Sequence, residues 1–266
     1  MRISNWWNKV RAKENEVCIH RNDKSYSMST PKKEHIETRQ LSISDVTRPF
    51  KGALGDRIWD TEEIFWKRES DYEFLTNKQL DAMEKLAFLQ ASLETKLVIN
   101  KKNKSTADAQ IVINWLGAKD EPYFRTNNPN LPVSSILAYA WGPGRGLGGD
   151  VVMNADQLWL FRKTPLTVKD AFDMGYIQNY DRNHPENKIR YYDPQHTFTH
   201  EATGHGLGMP HITNIDVRNT EIMYPYYNGL RRFGPSELLV LHSYYGDAKV
   251  NPDIKEELLG RVETTL

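Results

Sequence analysis

Thr199-His200-Glu201-Ala202-Thr203-Gly204-His205-Gly206-Leu207-Gly208-Met209-Pro210-His211 is the stretch around which the rest of the chain is read. It holds three histidines, a glutamate beside the first, and a glycine midway between the last two. Imidazole nitrogen suits zinc, and three protein ligands leave a fourth position open, as catalytic zinc sites do. Glu201 stands where a carboxylate takes a proton from a water attacking a carbonyl. The spacing poses a geometric problem. Residues four apart on an α-helix differ by about 40° around the axis, but residues five apart, such as His200 and His205, differ by roughly 140°. A π-bulge absorbs one extra residue and restores a common face, and Ala202-Thr203-Gly204 is the expected place for it. His196 and His200 are four apart, but that pairing puts Thr197 where the base should be and strands His205 and His211. His196 is therefore expected to support the site or lie at the surface.

Working outward, the sequence after this stretch ends the helix and closes the site. Gly208 permits the turn that returns His211 to the metal. Glu221-Ile-Met223-Tyr224-Pro225-Tyr226-Tyr227 follows; taken alone, a methionine among tyrosines is more often core than part of a site. Gly234-Pro235-Ser236-Glu237 opens an amphipathic helix that Gly246 stops, with Ser236, or Pro235-Ser236 together, as the expected cap. Upstream, Asp193-Pro194 caps the zinc-bearing helix. Residues 155–192 are polar and turn-rich, the pattern of an insertion at the rim of the site, with His184 in an exposed loop.

The first half of the main segment supplies scaffold. Ile58-Trp59 and Ile64-Phe65-Trp66 form one expected strand, Lys96–Asn100 a second and Ala109–Trp115 a third. Between them, Thr76 caps a helix whose Leu80, Met83, Leu86, Ala87 and Leu93 share one apolar face. Ser135–Trp141 is a further strand, running into the glycine-rich Gly142–Asp150. No Lys-Ser/Thr pair follows those glycines, so they do not form a phosphate loop. Their carbonyls with the Asp150 carboxylate are hard oxygen ligands of the kind calcium takes; a plain turn is the simpler alternative.

These blocks carry a resemblance. Leu137–Asp150 resembles the matrixin segment L-A-H-A-F-x-P-G-x-G-I-G-G-D, and Glu221–Tyr227 resembles the matrixin Met-turn L-M-Y-P-x-Y. His205-x-x-Gly208-x-x-His211 matches the second half of the metzincin signature H-E-x-x-H-x-x-G-x-x-H. From Ile58 to Gly246 the chain is similar to matrixin and serralysin catalytic domains. The resemblance implies an α+β, metzincin-like zincin fold: a twisted five-stranded mixed sheet with an antiparallel edge strand and three main helices. It implies a zinc endopeptidase with His200, His205 and His211 as ligands and Glu201 as general base. The carbonyls of Gly146 and Gly148 and the carboxylate of Asp150 would hold calcium. Leu137, Ala138, Tyr139 and Ala140 would form the edge that pairs with an extended peptide substrate. Pro225, Tyr226 and Tyr227 would wall the pocket for the residue after the scissile bond. Tyr139 and Val152 stand where matrixins place histidines of a structural zinc, so that second zinc is not implied. The rival reading is a protease-like fold without catalysis, serving as a binding or structural module.

The remaining sequence sets limits. Three segments are expected: a polar extension over residues 1–55, the catalytic domain over 56–250 and a short charged tail over 251–266. In a chain of 266 residues, Lys+Arg 35 balance Asp+Glu 35, so no global field favours nucleic acid or an anionic membrane. Cys18 is the single cysteine, which excludes an intrachain disulfide framework. Near Arg21 and Asp23 it resembles the matrixin cysteine switch only loosely, and a plain cysteine in a loosely docked tail is the simpler reading. The N-terminus lacks the apolar run of a conventional signal peptide, so export would take a non-classical route. A protein or peptide substrate is the expected partner. Compartment, cleavage specificity and oligomeric state are open at this level.

Overall fold

Alternation of apolar residues builds the sheet. In β4 (Ile111–Leu116) Ile111, Ile113 and Trp115 are buried, and in β2 (Glu63–Arg68) Ile64 and Trp66 are. A computed structural model describes residues 17–21 as backbone, and 58–102, 109–125, 136–144, 147–178 and 183–264 in full. Its main sheet has the order β1-β5-β6-β4-β2-β3, with β1 at Val17–Arg21, β3 at Val98–Lys101, β5 at Ile136–Trp141 and β6 at Val151–Asn154. β3, β2, β4 and β6 run parallel, and β5 pairs antiparallel with β6. This is the expected five-stranded mixed sheet, with β1 added as a sixth strand beyond β5. Ile58-Trp59 lies outside β2, because the Trp59 indole instead donates to the Gly206 carbonyl at 2.9 Å.

Helix α1 (Asn77–Glu94) starts where the sequence places it. The Thr76 hydroxyl accepts from the Gln79 amide, and the Gln79 side chain accepts from the Thr76 amide. Its buried face meets the sheet and the helical segment that carries His200 in one cluster that includes Met83, Ala87, Phe88, Ile111, Ile113, Phe198 and Ala202. Fully burying the methionine, isoleucine and phenylalanine side chains among them contributes about 1.5–3 kcal/mol each. At the end of β2, Arg68 reaches Asp71, Asp81 and the fully buried Glu84 at 2.5, 3.0 and 2.6 Å, fastening sheet to helix. Burial raises the Glu84 carboxyl to about 7 against the opposing pull of Arg68.

The described residues within 155–192 form a small subassembly. Strands β7 (Leu166–Thr167) and β8 (Lys188–Ile189) pair antiparallel beside the short helix α2 (Val168–Asp173). The closing helix α4 (Pro235–Tyr245) is capped by Gly234 with Pro235 in its first turn; Ser236 lies inside the helix, so it is not the cap expected from sequence. The C-terminal tail contains a further helix, α5 (Pro252–Glu263), whose Leu259 and Val262 pack on Ala82, Leu86 and Leu93 of α1. Among the described residues no helix is long and apolar enough to cross a membrane.

Candidate metal centre

Asp193 caps α3 (Pro194–Phe198), accepting from the Gln195 amide at 2.9 Å, with Pro194 in the first turn. The helix then widens into a π segment, Thr199–Gly204, and tightens into a 3-10 turn, His205–Leu207. The bulge thus covers the expected Ala202-Thr203-Gly204 and extends back through His200. Gly208, at φ 90°, ends the turn in the left-handed region that glycine adopts without strain. The chain then reverses and brings His211 back against the helix.

Two histidines are oriented through their Nδ1 atoms. His200 Nδ1 lies 2.6 Å from the Ile222 carbonyl and His205 Nδ1 lies 2.6 Å from the Met209 carbonyl. A carbonyl only accepts, so each Nδ1 carries the proton and each Nε2 presents a lone pair. The Nε2 atoms of His200 and His205 each lie 3.1 Å from His211 Nε2. Zinc–nitrogen bonds of about 2.0–2.1 Å at tetrahedral angles place ligand nitrogens about 3.3 Å apart, so the three imidazoles fit one zinc ion. Burial holds His205 down to about 4 and His211 well below the ordinary imidazole value, which keeps both in the neutral, ligating form. Among the described residues this is the one group of three or more His, Cys, Asp or Glu side chains whose ligand atoms converge.

Glu201 is fully buried in the same π segment, next to His200. Beneath them, Met223 is fully buried, and a Cβ added to Gly204 would stand 2.1 Å from its sulfur. Only glycine lets the helix and the Met-turn approach this closely. The turn is anchored by two glutamates that the sequence reading did not single out. The Glu237 carboxylate accepts from the amides of Met223 and Gly234, the latter at 2.6 Å. The Glu221 carboxylate accepts from the amides of Ser236 and Glu237 at 3.2 and 3.3 Å. Burial raises the Glu237 carboxyl, and Glu221 beside it adds to the rise. Glu237 three positions after Gly234 carried a first-turn signal in the sequence, but its hold on Met223 is a tertiary contact.

His196 is fully buried, which corrects the surface alternative for it. Its Nδ1 lies 2.6 Å from the Leu230 carbonyl, and its ring meets Tyr227 edge-on with centroids 4.8 Å apart. The Tyr227 hydroxyl accepts from the Asp193 amide at 2.9 Å. Tyr226 packs on Tyr224, and Pro225 lies between them, half-buried. Of the expected wall residues, Tyr227 thus reaches the start of α3 through His196 and Asp193.

Strand β5 flanks the same centre. Leu137, Ala138 and Ala140 belong to the main core, whereas Tyr139 and Trp141 project into a separate cluster with Phe124 and Val152. There the Tyr139 hydroxyl donates to the fully buried Glu121 at 2.5 Å. Burial raises both groups, and each is satisfied by the other. A polar bond inside an aromatic cluster thus stands at Tyr139, where the resemblance would place a histidine of a structural zinc. Of the expected calcium ligands, Asp150 accepts from the Val112 amide at 2.9 Å, and Gly148 packs so closely on Gly144 that an added Cβ would lie 2.3 Å from the Gly144 carbonyl oxygen. Gly146 lies outside the described residues.

The chain is similar to known proteins over this same region. The matrixin peptidase family model matches residues 58–237. Relatives include stromelysin-1 of Equus caballus, 26% identical over 151 residues, covering 55% of this chain and 24% of the relative. Interstitial collagenase of Oryctolagus cuniculus is 26% identical over 215 residues, covering 80% and 38% of the two chains. A probable matrix metalloproteinase 095L of Invertebrate iridescent virus 3 is 28% identical over 162 residues, covering 60% and 33%. The chain thus spans 24% to 38% of the length of these curated relatives. The match runs from before β2 into α4 and encloses the three converging histidines, and on that ground the chain belongs to the matrixin family of zinc metalloproteases.

Proposed function

We propose that the chain is a zinc-dependent endopeptidase acting on unstructured segments of protein substrates. The observation that carries this reading is the convergence of three Nε2 atoms, 3.1 Å apart on either side of His211, with Glu201 in the same buried turn. A purely structural site has no need of a carboxylate beside its ligands. His200, His205 and His211 hold the zinc, which when bound supplies Lewis-acid polarisation of the scissile carbonyl and of water. Glu201 takes the proton from the attacking water and delivers it to the leaving amine. An extended peptide pairs antiparallel with Leu137–Ala140 of β5 through main-chain hydrogen bonds. Pro225, Tyr226 and Tyr227 receive the side chain after the scissile bond. The catalytic unit is assigned to residues 56–250, flanked by the extension and the tail.

The deciding experiment compares the chain with Glu201→Gln. Purified protein is expected to carry about one zinc per chain in both forms. Cleavage of unfolded casein falls in the variant by at least the ~10²–10⁴-fold typical of a lost general base. Zinc retention with equal cleavage in the two proteins sinks the role of Glu201. Zinc retention with no cleavage in either returns the reading to a binding module. We also propose that Gly146, Gly148 and Asp150 hold calcium in the turn after β5. Millimolar calcium is then expected to raise Tm, and Asp150→Ala to remove that response.

A further inference from the structure

We propose that Trp59 and Tyr245 are positioning residues for the metal centre: their side chains hold the two carbonyls that end the 3-10 turn, and this hold keeps His205 and His211 convergent. The inference rests on the reading of His200, His205 and His211 as zinc ligands.

The last carbonyls of a helix have no partner within it and need donors from elsewhere. At the end of the histidine-bearing segment, the Gly204 carbonyl accepts from the Met209 amide at 3.0 Å and the His205 carbonyl from the Gly208 amide at 2.8 Å. Gly206 and Leu207 come next. The residue four after Gly206 and three after Leu207, where a helical donor would stand, is Pro210, which has no N–H. Side chains meet these two carbonyls instead. The Trp59 indole donates to the Gly206 carbonyl at 2.9 Å, and the Tyr245 hydroxyl donates to the Leu207 carbonyl at 2.8 Å. The same hydroxyl accepts from the Trp59 amide at 3.3 Å, so the two holds are joined. Burial raises the Tyr245 phenol above its ordinary value, which keeps it a neutral donor.

Trp59 precedes β2 and Tyr245 ends α4, so two distant parts of the chain converge on one turn. The indole is itself fixed against the loop after β5: a Cβ added to Gly149 would stand 2.7 Å from Trp59 Cζ2. Both held carbonyls lie between His205 and His211, whose Nε2 atoms are 3.1 Å apart. If the turn opens, those two nitrogens separate while the packing of α1 on the sheet stays as it is. Loss of either hold therefore acts on the metal before it acts on the fold.

The test uses the full chain with Tyr245→Phe and Trp59→Phe. Leu259→Ala serves as the control, because it weakens the packing of α5 on α1 and touches neither carbonyl. Tyr245→Phe keeps the ring and removes only the hydroxyl. Each protein is loaded with zinc and its release into a chelator is timed; Tm is measured on the zinc-free form. Zinc is expected to leave each of the two Phe variants on the order of tenfold faster than the parent chain, since a carbonyl loses its only donor. Leu259→Ala is expected to lower Tm at least as much as Tyr245→Phe does, with zinc release at the parent rate. Unchanged release from both Phe variants overturns the proposal. Release from Leu259→Ala as fast as from the Phe variants also overturns it, because the effect is then one of stability alone. If one Phe variant does not fold, the other decides. If the parent chain binds no zinc, the metal reading fails separately, and hydrogen exchange at Gly208 and Met209 decides: faster exchange in Tyr245→Phe than in Leu259→Ala upholds the hold on the turn, and equal exchange removes it.

Discussion

Helix α1 and the histidine-bearing helix lie against each other, with Phe88 of one meeting Phe198 of the other edge-on at 5.7 Å, yet they are specified in opposite ways. α1 runs 18 residues with a reciprocal capping pair and one continuous buried face. Every local rule points the same way, and the helix forms wherever that pattern is written. The second helix passes through α, π and 3-10 geometry within fourteen residues, Pro194 to Leu207. Its shape follows from what it must meet: the Ile222 carbonyl at His200, the Met209 carbonyl at His205 and the Met223 sulfur at Gly204. One helix is set by its own sequence period, the other by tertiary partners. Changing the number of residues should therefore act very differently on the two.

The largest effect is expected in α1. An alanine inserted after Leu86 rotates everything beyond it by about 100°. Ala87, Phe88 and Ala91 would leave the core, and the Phe88 contacts to Trp66 and Phe198 would be lost. Phe88 alone stands for about 3–5 kcal/mol, a large part of a domain's net stability. The variant should be recovered unfolded, as read by circular dichroism and the absence of a cooperative thermal transition. A soluble variant with a parent-like Tm would mean that α1 tolerates register change, and the contrast between the helices would fail.

Gly204→Ala adds only a methyl group, but at the point where the second helix touches the Met-turn. Its Cβ would meet Met223 Sδ at 2.1 Å and Cε at 2.7 Å. Over-packing of this kind costs about 1–3 kcal/mol, which lowers Tm by several degrees in a domain of this size. The strain falls between His200 and His205, so zinc should dissociate more readily into a chelator and casein cleavage should drop at least tenfold. The double variant Gly204→Ala/Met223→Ala should cost less than the sum of the two single changes, because the overlap is then gone. Strict additivity would show that Met223 is not the group that Gly204 makes room for.

The same contrast explains what the sequence displays. α1, β4 and the cap at Asp193 are legible because period, turn residues and burial agree. The bulge is legible only indirectly: the step of five from His200 to His205 violates the helical period, and glycine nearby marks where the violation is absorbed. Glu121 behind Tyr139 and Glu237 beneath Met223 are not legible, since their partners are brought together by strand order and helix packing. The burial of His196 is hidden for the same reason: Leu230 and Tyr227, which surround it, lie some thirty residues downstream. β1 is the least visible element. Val17 and Ile19 are its only strongly β-favouring residues, and its pairing is made by main chain, which writes little into sequence.

The smallest effect is expected from a change that looks severe. Deleting Thr203 turns the stretch into His200-Glu201-Ala202-Gly204-His205, in which the two histidines are four apart and a regular α-helix puts both on one face. The deletion removes the Thr203 hydroxyl, which donates to the Thr199 carbonyl at 2.8 Å within the bulge, and leaves Gly204 against Met223. The segments on either side keep their anchors, Asp193 upstream and the Met209 carbonyl downstream. The π turn holds one residue more than an α turn and can lose it without rotating either flank. Zinc content should stay near one per chain, and Tm should move by no more than a few degrees. Casein cleavage should stay within about tenfold of the parent chain, since Glu201 remains next to His200. If zinc is lost, the bulge is required to aim His200, and the extra residue is a necessary part of this site rather than a tolerated one. If zinc stays and only cleavage collapses, the bulge serves to place Glu201. The insertion in α1 and the deletion here each change the count by one residue, so the ratio of their effects measures how far partners, rather than local sequence, define the second helix.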